Sequence, residues 1–316
     1  MEIALIIFLF AIGVVLIVKG GDFFVDAASW FARISKIPKF VVGATIVSLA
    51  TTLPEIIVSS LAAFEGKVDM ATGNAIGSVT ANTGMIMAIG ILFMTVAVNK
   101  KLFIPKAILL ISIIVLLILL SLSGELTLVS SIILFVLFAV FIFLNIKEAK
   151  QATQEAEEER PQLATKTVIV NVLKFVFGAA GIVLGSQLLV DNGSEIALML
   201  NVPENIIALT AIAIGTSLPE LVTTITAIVK KESSLSVGNI IGANTIDMAL
   251  ILPICSIISK GSIPVNAQTI AVDIPVCLAI TLVMLVPTIF TGKFQKWQGI
   301  TGLVIYASYL TYIFIG

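Results

Sequence analysis

Two short runs carry residue types that an apolar stretch of chain has no packing reason to hold. The first is Ser48-Leu49-Ala50-Thr51-Thr52-Leu53-Pro54-Glu55, and the second is Ala213-Ile214-Gly215-Thr216-Ser217-Leu218-Pro219-Glu220. Each sets a carboxylate deep inside an apolar span, where an unpaired charge costs at least about 2.5 kcal/mol, so it must meet a cation or a proton. Each glutamate directly follows a proline. Proline cannot donate to the carbonyl four positions back, which leaves the oxygens of Ala50 and Gly215 without that partner. Bare carbonyls at membrane depth are tolerated only where a polar cavity or protein re-satisfies them. One such proline alone reads as a kink. Two copies, each with hydroxyls two and three positions before the proline, read as a site.

Two glycine-asparagine runs supply further donors. They are Gly73-Asn74-Ala75-Ile76-Gly77-Ser78-Val79-Thr80-Ala81-Asn82 and Gly238-Asn239-Ile240-Ile241-Gly242-Ala243-Asn244-Thr245-Ile246-Asp247. Glycines four apart make a close-packing surface for a neighbouring helix. Asn82 and Asp247 fall at equivalent places, about one turn beyond the second glycine. A buried Asp at that depth needs a partner as the glutamates do.

Pooled, the candidate ligands are Glu55, Glu220, Asp247, Asn82 and the hydroxyls of Ser48, Thr51, Thr52, Ser78, Thr216 and Ser217, with backbone carbonyls besides. All are hard oxygen donors, which suits Ca²⁺ or Na⁺ with their flexible coordination, and suits Mg²⁺ less. The chain has no histidine, which removes most transition-metal sites and histidine-based hydrolysis. Cys255 and Cys277 lie in apolar stretches with no metal-ligand spacing and read as small core hydrophobes. Three carboxylates balance one divalent ion or several monovalent ions, but not both sets together. Mutual exclusion at one cluster is the physical basis of antiport, and a proton is a third competitor.

The elements that must position these groups are membrane helices. Of 316 residues, 59% are hydrophobic and 12% charged, too few polar groups to cover a soluble domain. Apolar runs near the length of a bilayer crossing recur at 3–30, 38–64, 70–97, 103–122, 126–146, 167–192, 203–229, 234–259, 266–289 and 297–315. The expected organisation is a first five-helix repeat over 1–146, a polar cytoplasmic linker over 147–166 and a second five-helix repeat over 167–316. The apolar N-terminus has no basic leader and reads as a retained first helix.

Loops after odd-numbered crossings carry fourteen lysines and arginines, against two (Lys67 and Lys260) after even-numbered ones. That bias places the odd loops in the cytoplasm and both termini outside. Lys19 and Lys174 sit near cytoplasmic helix ends, where Lys19 can snorkel toward Asp22. A shift of 165 superimposes the halves: Asp26 on Asp191, Pro38 on Pro203, Leu53-Pro54-Glu55 on Leu218-Pro219-Glu220, and Gly73-Asn74 on Gly238-Asn239. Five crossings per copy is odd, so the second copy enters from the opposite side, the inverted-repeat plan of secondary transporters with a midplane site.

At these motifs the sequence resembles the cation/calcium exchanger superfamily, in particular the prokaryotic sodium/calcium exchangers, across essentially the whole chain. The resemblance implies an all-α membrane protein of ten transmembrane helices whose first and sixth slide across a core holding the ions. It implies Glu55 and Glu220 as central Ca²⁺ ligands. Around them it places Thr51, Thr52, Thr216, Ser217, Ser78, Asn82 and Asp247, which share Na⁺, and the carbonyl of Ala213. Ala243 lacks the hydroxyl common at that place in the family; Ser48, where alanine is frequent, either compensates or packs.

The expected function is antiport of Ca²⁺ against Na⁺ in a plasma membrane, by a non-enzyme with the lipid bilayer as its setting. No cofactor, nucleic acid or protein partner is implied. Coupling to H⁺ or K⁺ is the alternative, and a cation channel on the same scaffold is a distant one.

Overall fold

The computed structural model describes residues 3–93, 96–155, 165–200 and 215–315. Its helices are α1 (Ile3–Ser35), α2 (Lys39–Thr51), α3 (Leu53–Phe64), α4 (Val68–Phe93), α5 (Lys100–Ser121) and α6 (Leu128–Glu155). Then follow α7 (Thr165–Met199), α8 (Leu218–Val229), α9 (Ser233–Ile258), α10 (Thr269–Thr291) and α11 (Lys296–Ile315). Among the described residues, seven helices are long and apolar enough to cross a membrane. The bent pair α2 and α3 makes up to eight. Leucine, isoleucine, valine and phenylalanine side chains cover the outer surface, as lipid contact requires, while α4 and α9 form the buried centre.

The apolar segments expected from the sequence fall largely on these helices, except that 94–95, 203–214 and the linker residues 156–164 lie outside the described residues. Two departures are informative. The all-helical expectation missed two three-residue strands, β1 (Glu125–Thr127) and β2 (Ser262–Pro264), which pair antiparallel with Leu126 opposite Ile263. A second clip joins Ala97 to Lys293, with Val98 N–H donating to the Gly292 carbonyl at 3.0 Å. Both pairings join turns far apart in sequence and too short to show strand alternation. The second departure concerns Asp22. Its partner is Lys230, whose Nζ lies 3.3 Å from Asp22 and 2.7 Å from Asp26.

The 165-residue shift reappears in the element boundaries. Residues 53–64 map onto 218–229, and the α-helical stretch Val68–Ala81 maps onto Ser233–Ile246. It reappears in packing too. A Cβ on Gly13 would lie 3.0 Å from the Gly185 carbonyl, and one on Gly20 would lie 2.9 Å from that of Gly178. Those four glycines exchange places under the shift, so α1 and α7 meet backbone to backbone about a reciprocal contact.

Lys106, counted with the loop charges by sequence, is instead fully buried on α5. It is ion-paired with Glu148, donates to the Leu102 carbonyl at 3.3 Å and sits 5.2 Å from the centre of the Phe40 ring. Lys106→Met should lower stability by about 3 kcal/mol, because it strands a mostly buried carboxylate. Lys106→Met with Glu148→Met should recover most of the loss, read as thermal unfolding of the detergent-solubilised protein.

Candidate cation-binding site

The site is built at the starts of α3 and α8, which open in the same way. Between α2 and α3 the axis bends by 47°. Thr52 at that break has φ −85° and ψ 1°, and Ser217, just before α8, has φ −85° and ψ 0°. Pro54 and Pro219 then sit in the first turn of the following helix, where a missing N–H costs nothing. Glu55 and Glu220 are in the same first turn. There the unpaired N–H groups and the positive end of the helix dipole favour a carboxylate. The break therefore positions each glutamate and also offsets part of the cost of burying it.

The two halves meet at these residues. Thr52 Oγ1 from the first half donates to Glu220 Oε1 of the second at 3.2 Å. Glu220 and Asp247 both lie close enough to Glu55 to act on its charge. Glu55 is 1% exposed, and Glu220 and Asp247 are fully buried. Seven buried oxygens here accept no hydrogen bond: both of Glu55, both of Asp247, Glu220 Oε2, Asn82 Oδ1 and Ser217 Oγ. Buried polar atoms in native proteins are nearly always satisfied. Oxygens of this hard type are the donors that a dehydrated Ca²⁺ or Na⁺ takes.

The cluster is less acidic at close range than the sequence implied. Among the described residues, no three acidic side chains gather tightly enough to hold one metal ion by themselves. Hydroxyl, amide and carbonyl oxygens must complete any shell. Asn82 and Asp247 each open a π-helical turn, Asn82–Met87 and Asp247–Ile251. Such widened turns inside helices frequently mark functional sites, and nothing in the sequence announces them.

The remaining candidates divide. Thr51 Oγ1 donates to Asn239 Oδ1 at 3.2 Å, and Thr216 Oγ1 donates to Asn74 Oδ1 at 3.3 Å. Ser78 is buried on α4, one turn before Asn82. The Ser48 hydroxyl donates back to the Thr45 carbonyl at 3.1 Å and packs over Gly242, the use of a packing residue. Ala213 lies outside the described residues. Gly238 and Gly242 do pack against α2, at Phe40, Ala44 and Ser48. The residues that repeat that stretch of α2, and would face Gly73 and Gly77, lie outside the described residues.

Sequence reasoning passed over several polar residues at the site. Asn74 and Asn239 were visible as the second residue of each glycine-asparagine run, but the glycines absorbed the reading. Asn244 was hidden for lack of a counterpart, since Val79 occupies its place in the first half. Its Oδ1 accepts from Asn82 Nδ2 at 3.1 Å and its own amide donates to Thr83 Oγ1 at 2.7 Å. That chain leaves the Asn82 oxygen as the buried end of the side chain that accepts no hydrogen bond.

Comparison with known proteins agrees with this geometry. The family model described as "Sodium/calcium exchanger protein" matches residues 5–147 and 170–315. The chain belongs to the sodium/calcium exchanger protein family. Within that family it is 32% identical to the putative antiporter CaxA of Alkalimonas amylolytica, over 96% of both chains. It is 26% identical to the sodium/calcium exchanger MaX1 of Methanosarcina acetivorans, over 96% of this chain and 97% of that one. A solved structure of the sodium-calcium exchanger NCX_Mj superposes with a TM-score of 0.85 at 25% identity, covering 99% of this chain and 100% of that one. This family member is thus a multi-pass membrane protein of the cation/Ca²⁺ exchanger type.

Proposed function

We propose that the protein is a secondary antiporter that exchanges Ca²⁺ for Na⁺ by alternating access, with Glu55 and Glu220 as central Ca²⁺ ligands. The observation that carries this reading is the set of seven buried oxygens, drawn from both halves, that accept no hydrogen bond. Thr51, Thr52, Thr216, Ser217, Ser78, Asn82 and Asp247 complete the cation shells with backbone carbonyls, Ala213 among them. Ser48 serves mainly in packing. Ca²⁺ draws both glutamates onto one ion, while Na⁺ ions spread the same charge over more positions. The two occupancies exclude each other because the carboxylates cannot balance both.

The architecture in this reading is ten crossings as two inverted five-helix repeats, 1–146 and 167–316, joined by the linker 147–166. The reciprocal glycine contact of α1 with α7 supports it, as does the identical break before α3 and before α8. The two turn-to-turn clips support it as well, since they join the loops around β1 and β2 in one case and around Ala97 and Lys293 in the other. Short, backbone-tight contacts between α1 and α7 let the pair move as one body past the core. The bias of basic residues toward alternate loops supports both termini outside a plasma membrane. No enzymatic step and no cofactor enters this scheme.

Proteoliposomes loaded with Na⁺ and diluted into Na⁺-free medium should accumulate labelled Ca²⁺, and the accumulation should collapse when a Na⁺ ionophore dissipates the gradient. Uptake indifferent to Na⁺ but driven by an imposed H⁺ or K⁺ gradient would replace Na⁺ as the coupling ion. Ca²⁺ flux down its own gradient with no counter-ion would indicate a channel.

A further inference from the structure

We infer that Asn74 and Asn239 are positioning residues that work crosswise, each orienting the threonine hydroxyl of the opposite half toward the cation. The inference rests on the exchange reading and names groups that act through the ligands rather than as ligands. A hydroxyl that binds a cation must present a lone pair, so its proton has to be accepted elsewhere. Thr51 hands its proton to Asn239 Oδ1 at 3.2 Å, and Thr216 hands its proton to Asn74 Oδ1 at 3.3 Å. These are one contact seen twice, since Thr51 maps onto Thr216 and Asn74 onto Asn239 under the 165-residue shift. Both asparagines are buried, Asn239 completely.

The asparagines are themselves held with unequal firmness. Asn74 Nδ2 donates to Ser59 Oγ at 2.9 Å, which fixes its oxygen toward Thr216. Thr224 stands at the equivalent place in the second half, but its hydroxyl and the Asn239 amide are both buried without partners. Thr51 has a second acceptor in reserve, the Ser48 carbonyl at 3.3 Å. The two crosswise contacts therefore repeat in kind while differing in stiffness, and each ties a glycine-asparagine helix to the break of the other repeat.

The test is a set of double-mutant cycles read by calorimetric Ca²⁺ titration of the purified protein in Na⁺-free buffer. Asn239→Ala should raise the Ca²⁺ dissociation constant about fivefold, the value of one lost hydrogen bond. Adding Asn239→Ala to Thr51→Ala should change nothing further, whereas adding it to Thr216→Ala should multiply the two effects. Asn74→Ala should show the mirror pattern, silent on Thr216→Ala and multiplicative with Thr51→Ala.

Two further variants separate orientation from bulk and serve if alanine impairs folding. Asn239→Asp keeps an acceptor oxygen and should preserve the full effect of Thr51→Ala. Asn239→Leu keeps only bulk and should erase it. Effects that multiply in every pairing would overturn the positioning role while leaving exchange intact. Wild-type protein that binds no Ca²⁺ displaceable by Na⁺ would overturn the exchange reading and this inference together.

Discussion

Glu55→Gln and Glu220→Gln should each abolish Ca²⁺ exchange, with the loss at least about a hundredfold, while the protein still folds. Removing one partner of a buried charge pair, here the carboxylate against its cation, costs about 3–5 kcal/mol, which corresponds to that factor or more. Glutamine keeps the shape of the side chain but replaces one acceptor oxygen with a donor amide. At Glu55 both oxygens are buried and accept nothing from the protein, so the amide would point a proton where a cation should sit. At Glu220 the Thr52 hydroxyl can still donate to the remaining oxygen, so the break keeps its cross-half contact.

Folding should not suffer, because glutamine keeps the side chain's shape and removes a fully buried charge. The decisive measurement is the melting temperature with and without Ca²⁺. Wild type should rise on adding Ca²⁺, as any ligand that binds only the folded state requires. Both variants should melt at least as high as wild type without Ca²⁺ and gain nothing from it. Wild-type exchange in both variants would remove the site from these helices.

Gly238→Val should be the most damaging single change outside the ion ligands, costing about 3 kcal/mol or more and with it exchange. A Cβ at Gly238 would run into the backbone of α2, at the Phe40 carbonyl and 3.1 Å from the Ala44 nitrogen. Backbone cannot swing aside as a flexible side chain can, so α9 would have to back away from α2. The next glycine repeats the constraint, with a Cβ on Gly242 falling 2.7 Å from the Ala44 carbonyl. Any retreat would also pull Asn239 from Thr51 and disturb Asp247. Gly193→Ala on α7 is the matched control. Among the described residues its Cβ would meet only Phe10, at an ordinary 3.5 Å, so stability should hold or rise by up to about 1 kcal/mol. Thermal unfolding and Ca²⁺ uptake of the two variants side by side would check this, and a Gly238→Val protein as stable and active as wild type would refute it.

Much of this molecule was legible before any coordinates. Glu55 and Glu220 stood out because a carboxylate within an apolar run has few physical excuses, and the proline before each marked a helix break. The repeat was legible because identical residues recur at one spacing. The twin functions of the glycine-asparagine runs were not legible, because close packing already explained the glycines. Ser48 was ambiguous for a similar reason, since a hydroxyl in a helix can serve a neighbouring ion or its own preceding turn. Its bond to the Thr45 carbonyl favours the turn. Lys106 looked like a loop charge from its place near a helix end, yet the structure buries it against Glu148 and Phe40.

Spacing along one chain sets how deep a residue lies in the membrane, because a helix rises about 1.5 Å per residue wherever it is placed. That relation, together with composition and the 165-residue recurrence, set the expected class of protein, the depth of the three acids and the register between the two halves. It says nothing of which helix lies across from which, since partners 142 or more residues apart meet only through packing. Packing decided that Thr52 reaches Glu220, that Thr51 and Thr216 are served by the opposite half, and that Asp22 pairs with Lys230. For Thr51 the glycine contacts explain why: at Gly238 and Gly242 the backbone of α9 approaches that of α2 without side chains between them, which brings Asn239 within hydrogen-bond reach.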